Sequence, residues 1–310
     1  MTKPVLCLLG PTASGKTKLA MRLADELPVD LISVDSALVY RHMNIGTAKP
    51  SAEELACYPH QMVDLIDPDE SYSVARFMAD VEGCIQTSLL NHRIPLLVGG
   101  TMMYFQAIQQ GLSQLPAADE SLRMQLLTEG QDKGWPYLHA RLATIDPKTA
   151  ARIHPHDKQR IQRALEVYQL TGQPLSHLLA SSQALPYHFE NLLLLPRQRL
   201  WLHQNIELRF AKMLNDGLVG ETEHILSQWP HCIESPAMRM VGYRQAYLHL
   251  SGALDEAGLM HKGIVASRQL AKRQITWLRR WQQGRIIVAE DEQNWQTSVL
   301  IIKEILDNRQ

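Results

Sequence analysis

The sequence predicts an α/β protein: a parallel sheet flanked by helices, with an all-helical insertion. Three observations carry that expectation. Short apolar runs alternate with amphipathic helical runs from the N-terminus to about residue 112. The alternation stops between 113 and 188, where only helical patterns are legible, and resumes afterwards. The first apolar run enters "GPTASGKT" at residues 10–17, a glycine-rich turn that leads into a helix. The core is therefore expected at 1–112 and 189–310, and the insertion at 113–188.

The elements follow in order. "PVLCLL" is a continuous apolar run, as a strand buried on both faces requires. "KTKLAMRLADEL" spaces Leu19, Met21, Leu23 and Leu27 for a helix that Pro28 ends. "VDLISVD" reads as a second strand closing on Asp35, and "HQMVDLID" as a third. "SVARFMADVEGCIQTSLLN" is helical, "IPLLVGGT" is a buried strand, and "MMYFQAIQQG" is a helix with Gly111 as its C-cap. In the insertion, "ADESLRMQLLTEG", "GWPYLHARLATID", "PKTAARIH" and "DKQRIQRALEVYQLTG" are amphipathic helices. Asp146 before Pro147 marks an N-terminus and Gly172 a C-cap. "ENLLLLP" returns to the sheet. Helices are expected near 198–216, 217–229 and 254–283, a last strand at "GRIIVAE" and a closing helix at "WQTSVLIIKEIL".

The totals exclude several classes. Of 310 residues, 31 are Lys or Arg and 32 Asp or Glu, so affinity for a polyanion must come from local basic patches. Cys7, Cys57, Cys84 and Cys232 have no C-x-x-C spacing, which argues against a zinc site or a disulfide framework. There is no apolar run long enough for a bilayer and no leader before the first strand, so a cytoplasmic protein with no membrane partner is expected.

Residues 10–17 (Gly10, Pro11, Thr12, Ala13, Ser14, Gly15, Lys16, Thr17) carry the phosphate-loop pattern, which makes the fold NTPase-like. The glycines let the backbone aim several N–H groups at one anion, and the helix behind adds the positive end of its dipole. Lys16 brings an ammonium to the outer phosphate, and the Thr17 hydroxyl can bind magnesium. Such a loop reads linked phosphates, not a base or ribose. A triphosphate-cleaving enzyme commonly adds an apolar strand ending in Asp. Here "LLVGGT" ends on Thr101, and only "LISVD" supplies an acid, Asp35, with Ser36 after it. Asp35 belongs either to the ligand crevice at the strand ends or to a turn cap. Thr101, after Gly99 and Gly100, either caps a helix or touches an anion.

Two segments concentrate positive charge. "DKQRIQRALEVYQ" carries Lys158, Arg160 and Arg163. "SRQLAKRQITWLRRW" carries Arg268, Lys272, Arg273, Arg279 and Arg280 without one acid. Each is either a solvated helix face or a phosphodiester contact. Trp277 and Trp281, four apart, are expected to pack on the core. In "MRMVGYRQ", Tyr243 with Arg244 either clamps a nucleotide or packs inside.

Together, "GPTASGKT", "SVDSALVYRHMNIGTAKP", "VGGTMMYFQAI", "RIHPHDKQRIQRALEVYQLTG", "MRMVGYRQ" and "RQLAKRQITWL" resemble the bacterial tRNA dimethylallyltransferases, in consistent order over nearly the whole chain. The resemblance implies transfer of a dimethylallyl group from dimethylallyl diphosphate to the exocyclic amine of the adenosine 3′ to the anticodon. The tRNAs concerned read codons that begin with U. It implies magnesium, a tRNA anticodon stem-loop as partner, a monomer, and a diphosphate rather than ATP on the loop. Asp35 is then the base, and Lys16, Thr101 and Arg209 its catalytic companions. The implied tRNA contacts are Asp35, Ser36, Ala37 and Leu38; Thr101; Arg123; Gln159, Arg160, Ile161, Gln162 and Arg163; Met240, Val241, Gly242, Tyr243, Arg244 and Gln245; and Arg273, Gln274, Ile275, Thr276, Trp277, Leu278, Arg279 and Arg280. Three competing readings are a small-molecule phosphotransferase, an enzyme that prenylates free adenine nucleotides, and a non-enzymatic RNA-binding module.

Overall fold

The structure is a computed structural model, and it describes residues 4–113, 115–179, 182–281 and 283–308. Along the chain run β1 (Val5–Leu9), α1 (Lys16–Glu26), β2 (Val29–Val34), α2 (Ala52–Cys57), β3 (His60–Gln61), α3 (Val74–Leu90), β4 (Ile94–Gly99) and α4 (Met102–Gln110). Then come β5 (Leu112–Ser113), α5 (Glu120–Asp132), α6 (Trp135–Ile145), α7 (Pro147–Ala150), α8 (Lys158–Thr171), α9 (Leu175–Leu178) and β6 (Ser182–Gln183). The chain continues with β7 (Phe189–Leu195), α10 (Arg199–Asn215), α11 (Leu218–Gln228), α12 (Tyr243–Leu250), α13 (Glu256–Leu278), β8 (Arg285–Val288) and α14 (Asn294–Asp307). It divides into two units, Met1–Gln106 with Pro186–Gln310, and Ala107–Leu185.

In the larger unit six parallel strands are ordered β3-β2-β4-β1-β7-β8. β1 and β4 are central and wholly buried, which explains their unbroken apolar sequence. Leu6, Leu8, Leu96, Leu192 and Leu194 form one core layer with Leu19 and Leu23 of α1 and Ile302 of α14. A second apolar cluster joins Val39, Tyr40 and Met43 to Phe210, Leu218, Met238 and Tyr243. Because β1, β2 and β4 run in parallel, their C-terminal ends open on one edge, where ligand crevices of such sheets lie.

The third strand differs from expectation. "HQMVDLID" pairs with β2 only at His60 and Gln61, and touches the sheet once more through the Tyr40–Ile66 bridge. Met62 and Asp64 adopt left-handed backbone (φ 65° and 57°), which no extended ladder accommodates. The helix expected to reach 283 ends at Leu278; position 282 lies outside the described residues.

In the smaller unit Leu126, Trp135, Leu138, Leu142, Ile161 and Leu165 form a helical core. Asp146 caps α7 by accepting from Thr149 N–H, with Pro147 in its first turn, and Gly172 ends α8 at φ 69°. "PKTAARIH" stops being helical after Ala150, ahead of Pro155, whose ring disfavours helix at the preceding residue. The segment is not free of strands: β5 and β6 pair antiparallel, and Leu185 N–H donates to the Ile108 carbonyl. Those bonds join the unit's two ends. No helix of the described residues is long and apolar enough to cross a membrane.

Candidate active site

At the strand edge lies a cavity of about 510 Å³ within the larger unit. Its polar wall holds Thr12, Lys16, Thr17, Asp35, Thr101 and Arg209; Leu38, Met102, Ile206, Phe210, Met240 and Trp277 contribute apolar surface.

The phosphate loop is formed by backbone strain in the right places. Ala13 and Gly15 are both left-handed (φ 62° and 87°), which turns the chain back on itself before α1. The first N–H groups of α1 have no intrahelical partner, and its first two residues, Lys16 and Thr17, line the cavity. Lys16 Nζ donates to the Pro11 carbonyl at 2.7 Å. Burial lowers its pKa to about 8; the Asp35 carboxylate acts the other way and the Arg209 guanidinium with burial. Burial likewise lowers the pKa of Arg209, opposed by Asp35. Arg209 donates to the Thr47 carbonyl at 3.2 Å. Two cations and one carboxylate thus sense each other across the cavity, each cation resting on a backbone carbonyl.

Asp35 does both things the sequence left open. One oxygen accepts from Ala37 N–H at 2.9 Å, a turn cap, while the residue lines the cavity. Thr101 Oγ1 accepts from Ser36 N–H at 3.0 Å and donates to Ser36 Oγ at 3.3 Å, so it joins the β2 and β4 ends. Gly99 lies so close to β2 that a Cβ there would sit 2.0 Å from the Val34 carbonyl oxygen.

The remaining predicted residues divide. Ser36, Ala37, Leu38, Met240, Val241, Arg273, Gln274 and Trp277 line the cavity with the residues above, as do Thr12 and Ala13; Ser14 is buried and its hydroxyl has no partner. Trp277 is 41% exposed there, so the expected core packing does not hold for it. Gln274 faces inward: its oxygen accepts from Thr12 N–H and its nitrogen donates to the Gly100 carbonyl, both at 2.8 Å. Tyr243 is fully buried and donates to Glu221 at 2.6 Å, which selects packing over a nucleotide clamp. Gln245 is buried, accepting from Gly242 N–H, and Leu278 is buried too. Arg244, Thr276, Arg279 and Arg280 are exposed and Ile275 is half-buried. Arg268, from the same basic run, pairs with Glu207.

In the smaller unit Gln159 and Arg160 are exposed, and Ile161 is core. Arg123 and Arg163 both bond the buried Glu166, at 2.9 and 2.7 Å, and Gln162 donates to the Arg123 carbonyl at 2.7 Å. Sequence reasoning gave no role to Gly46, Thr47 and Ala48, which form a cavity wall, or to Met103, Phe210, Met213 and Arg239. The "NIGTAKP" run was a visible signal for the first three.

For a divalent cation the donors at hand are oxygens: the Thr17 hydroxyl and, across the cavity, the Asp35 carboxylate. That set fits magnesium, which takes one or two protein oxygens and completes its shell with phosphate and water. Among the described residues no cluster of three or more His, Cys, Asp or Glu is arranged for a metal.

A parallel sheet, a glycine-lysine loop and a facing carboxylate define a phosphate-loop transferase site. The IPP transferase family matches residues 38–281, and the isopentenyl transferase family residues 3–62. A tRNA dimethylallyltransferase of Legionella pneumophila is 52% identical over 310 residues, 99% of each chain. One from Coxiella burnetii is 51% identical over 290 residues, 93% of each. The crystal structure of the full-length tRNA isopentenylpyrophosphate transferase from Bacillus halodurans aligns with a TM-score of 0.73 at 33% identity, over 99% of this chain and 97% of that one. A eukaryotic dimethylallyltransferase structure shares the fold, with a TM-score of 0.84 at 24% identity over 100% and 81% of the two chains. The chain belongs to the tRNA dimethylallyltransferase family, whose members are tRNA prenyltransferases.

Proposed function

We propose that the chain moves a dimethylallyl group from dimethylallyl diphosphate to the exocyclic amine of the adenosine 3′ to the anticodon, in tRNAs reading codons that begin with U. Diphosphate is the other product. The observation that carries this reading is the trio in one cavity: Lys16 and Arg209, neither ion-bonded to Asp35 but both within its field. Two cations together with a loop of N–H groups suit a polyanionic leaving group, and one carboxylate suits a single proton.

The reaction breaks the allylic C–O bond, whose electron pair leaves with the diphosphate. Backbone N–H groups of 13–17, the Lys16 ammonium and the Arg209 guanidinium hold that charge as it develops. The adenine nitrogen's lone pair forms the new C–N bond. Its proton becomes acidic as the bond forms and passes to the free oxygen of Asp35. The Ala37 N–H holds the other oxygen and so aims the group. Magnesium, held by Thr17 and the diphosphate oxygens, would supply further charge neutralisation. The apolar surface from Leu38, Ile206, Phe210 and Met240 suits a C5 isoprenoid and keeps water from an allylic cation.

The adenine must leave its stack to reach a site at strand ends, and an anticodon loop is already single-stranded, which lowers the cost. The exposed Arg273, Arg279 and Arg280 of the larger unit and Arg160 of the smaller supply phosphate contacts, and Arg123 and Arg163 reach a phosphate only with the guanidinium N–H groups that Glu166 leaves over. We assign the smaller unit to tRNA binding and the protein to the cytoplasm as a monomer.

The test is incubation with unmodified tRNA, magnesium and dimethylallyl diphosphate, followed by mass spectrometry of the digested nucleosides. A prenyl increment on adenosine is expected. Phosphate release from ATP without RNA modification would favour a kinase, and modification of free AMP alone would favour a nucleotide prenyltransferase.

A further inference from the structure

One side of the cavity is shaped by a carboxylate that does not line it. Glu221, on α11, accepts from three consecutive backbone N–H groups: Asn44 at 3.0 Å, Ile45 at 2.9 Å and Gly46 at 3.2 Å. The Tyr243 hydroxyl donates to the same carboxylate at 2.6 Å. Consecutive N–H groups converging on one point form an anion nest. Here the anion is internal, so the nest serves architecture and is not a ligand site.

The turn so gathered is tight. Ala48 is left-handed (φ 51°), and Ala48 N–H donates to the Ile45 carbonyl and Lys49 N–H to the Asn44 carbonyl, both at 3.0 Å. Gly46 presses on the Tyr243 ring: a Cβ there would come within 2.5 Å of Cε2. The turn's far side presents Gly46, Thr47 and Ala48 to the cavity, and the Thr47 carbonyl receives Arg209. A path of direct contacts therefore leads from Glu221 through the 44–48 turn to the guanidinium.

We propose that Glu221 and Tyr243 are positioning residues for the diphosphate: by fixing the 44–48 turn, they aim the Thr47 carbonyl and hence Arg209 at the leaving group. This gives "NIGTAKP" and "MVGYRQ" a joint role that does not require Tyr243 to touch RNA. The inference rests on the proposed diphosphate site.

Glu221→Gln keeps one acceptor oxygen but puts an NH₂ among donors, and Tyr243→Phe removes one bond while keeping the ring. Binding of inorganic pyrophosphate with magnesium is measured by calorimetry, and the KM for dimethylallyl diphosphate by transfer to tRNA. Both variants should weaken pyrophosphate, Glu221→Gln by about tenfold, the scale of a lost hydrogen bond to a charged group. Affinity for an anticodon stem-loop should stay unchanged. In an Arg209→Met background neither substitution should weaken pyrophosphate further, because the path ends at that residue.

A merely structural role would lower thermal stability and leave these constants intact in the folded protein; that result overturns the proposal. Equal losses with and without Arg209 overturn it as well. Should Glu221→Gln not fold, Tyr243→Phe decides alone, its ring packing being kept. Pyrophosphate binding is read without RNA or turnover. A protein that shows the cycle but does not prenylate tRNA therefore refutes the proposed function and keeps this inference.

Discussion

Lys16 sets a pH limit on the donor site. Its ammonium rests on the Pro11 carbonyl within the field of Arg209, and desolvation lowers its pKa to about 8 in the unliganded protein. The sign follows from the charge type: burial penalises the charged form of a lysine, so the cation is lost as pH rises through about 8. If the charged form holds the diphosphate, affinity follows the protonated fraction. That fraction is about nine-tenths at pH 7 and about one-tenth at pH 9, so the affinity for dimethylallyl diphosphate should fall about tenfold across that interval. The ligand's terminal phosphate, with a second pKa of about 6, is already ionised over most of this range and contributes little.

The assay is titration calorimetry of dimethylallyl diphosphate with magnesium and without RNA, from pH 7 to 9.5. Lys16→Arg should weaken binding through lost fit but remove the pH dependence, since a guanidinium stays charged. Asp35→Asn removes the charge that raises the Lys16 pKa, so the midpoint should move down; Arg209→Met removes one that lowers it, so the midpoint should move up. A flat profile to pH 9.5 in the parent protein refutes the reasoning. So would neighbour substitutions that move the midpoint in the opposite directions.

Three further outcomes are expected. Asp35→Asn can keep the turn bond to Ala37 N–H, so tRNA affinity should persist while single-turnover transfer drops by about 10² to 10⁴, the range for a lost general base; normal turnover removes Asp35 from that role. Gly99→Ala drives a methyl into the Val34 carbonyl and should cost at least about 3 kcal/mol in denaturant unfolding, or prevent folding. Gln274→Leu leaves the Thr12 N–H and the Gly100 carbonyl without their partner and should lower stability by about 1–3 kcal/mol, with a fall in kcat/KM; a Gln274→Leu variant as stable and active as the parent would show the bridge to be idle.

What could be seen in advance depended on whether chemistry dictates spacing. A loop that wraps a phosphate needs its glycines and lysine at fixed offsets, so residues 10–17 were legible as a string. Asp35 was legible because it ends an apolar run. Long-range pairing leaves no such mark. Gln274 meets Thr12 and Gly100 from 262 and 174 positions away, and Glu221 meets Asn44 from 177. A Gln in a basic helix and a Glu in an amphipathic one look alike whether solvated or central. Tyr243 beside Arg244 reads the same as a base clamp or as core, and only its burial separates the two. The third strand failed because its left-handed positions are Met62 and Asp64, with no glycine to announce the break.

The strand order has a consequence for synthesis. β1 leaves the ribosome first, yet one flank waits for β4 at Ile94 and the other for β7 at Phe189. Between those moments the smaller unit, contiguous in the chain, emerges with a core of its own. Once residues up to about 185 have cleared the ribosome, the chain holds a complete helical unit and a sheet whose middle strand still has one bare side, the state most exposed to chaperones and to sticking.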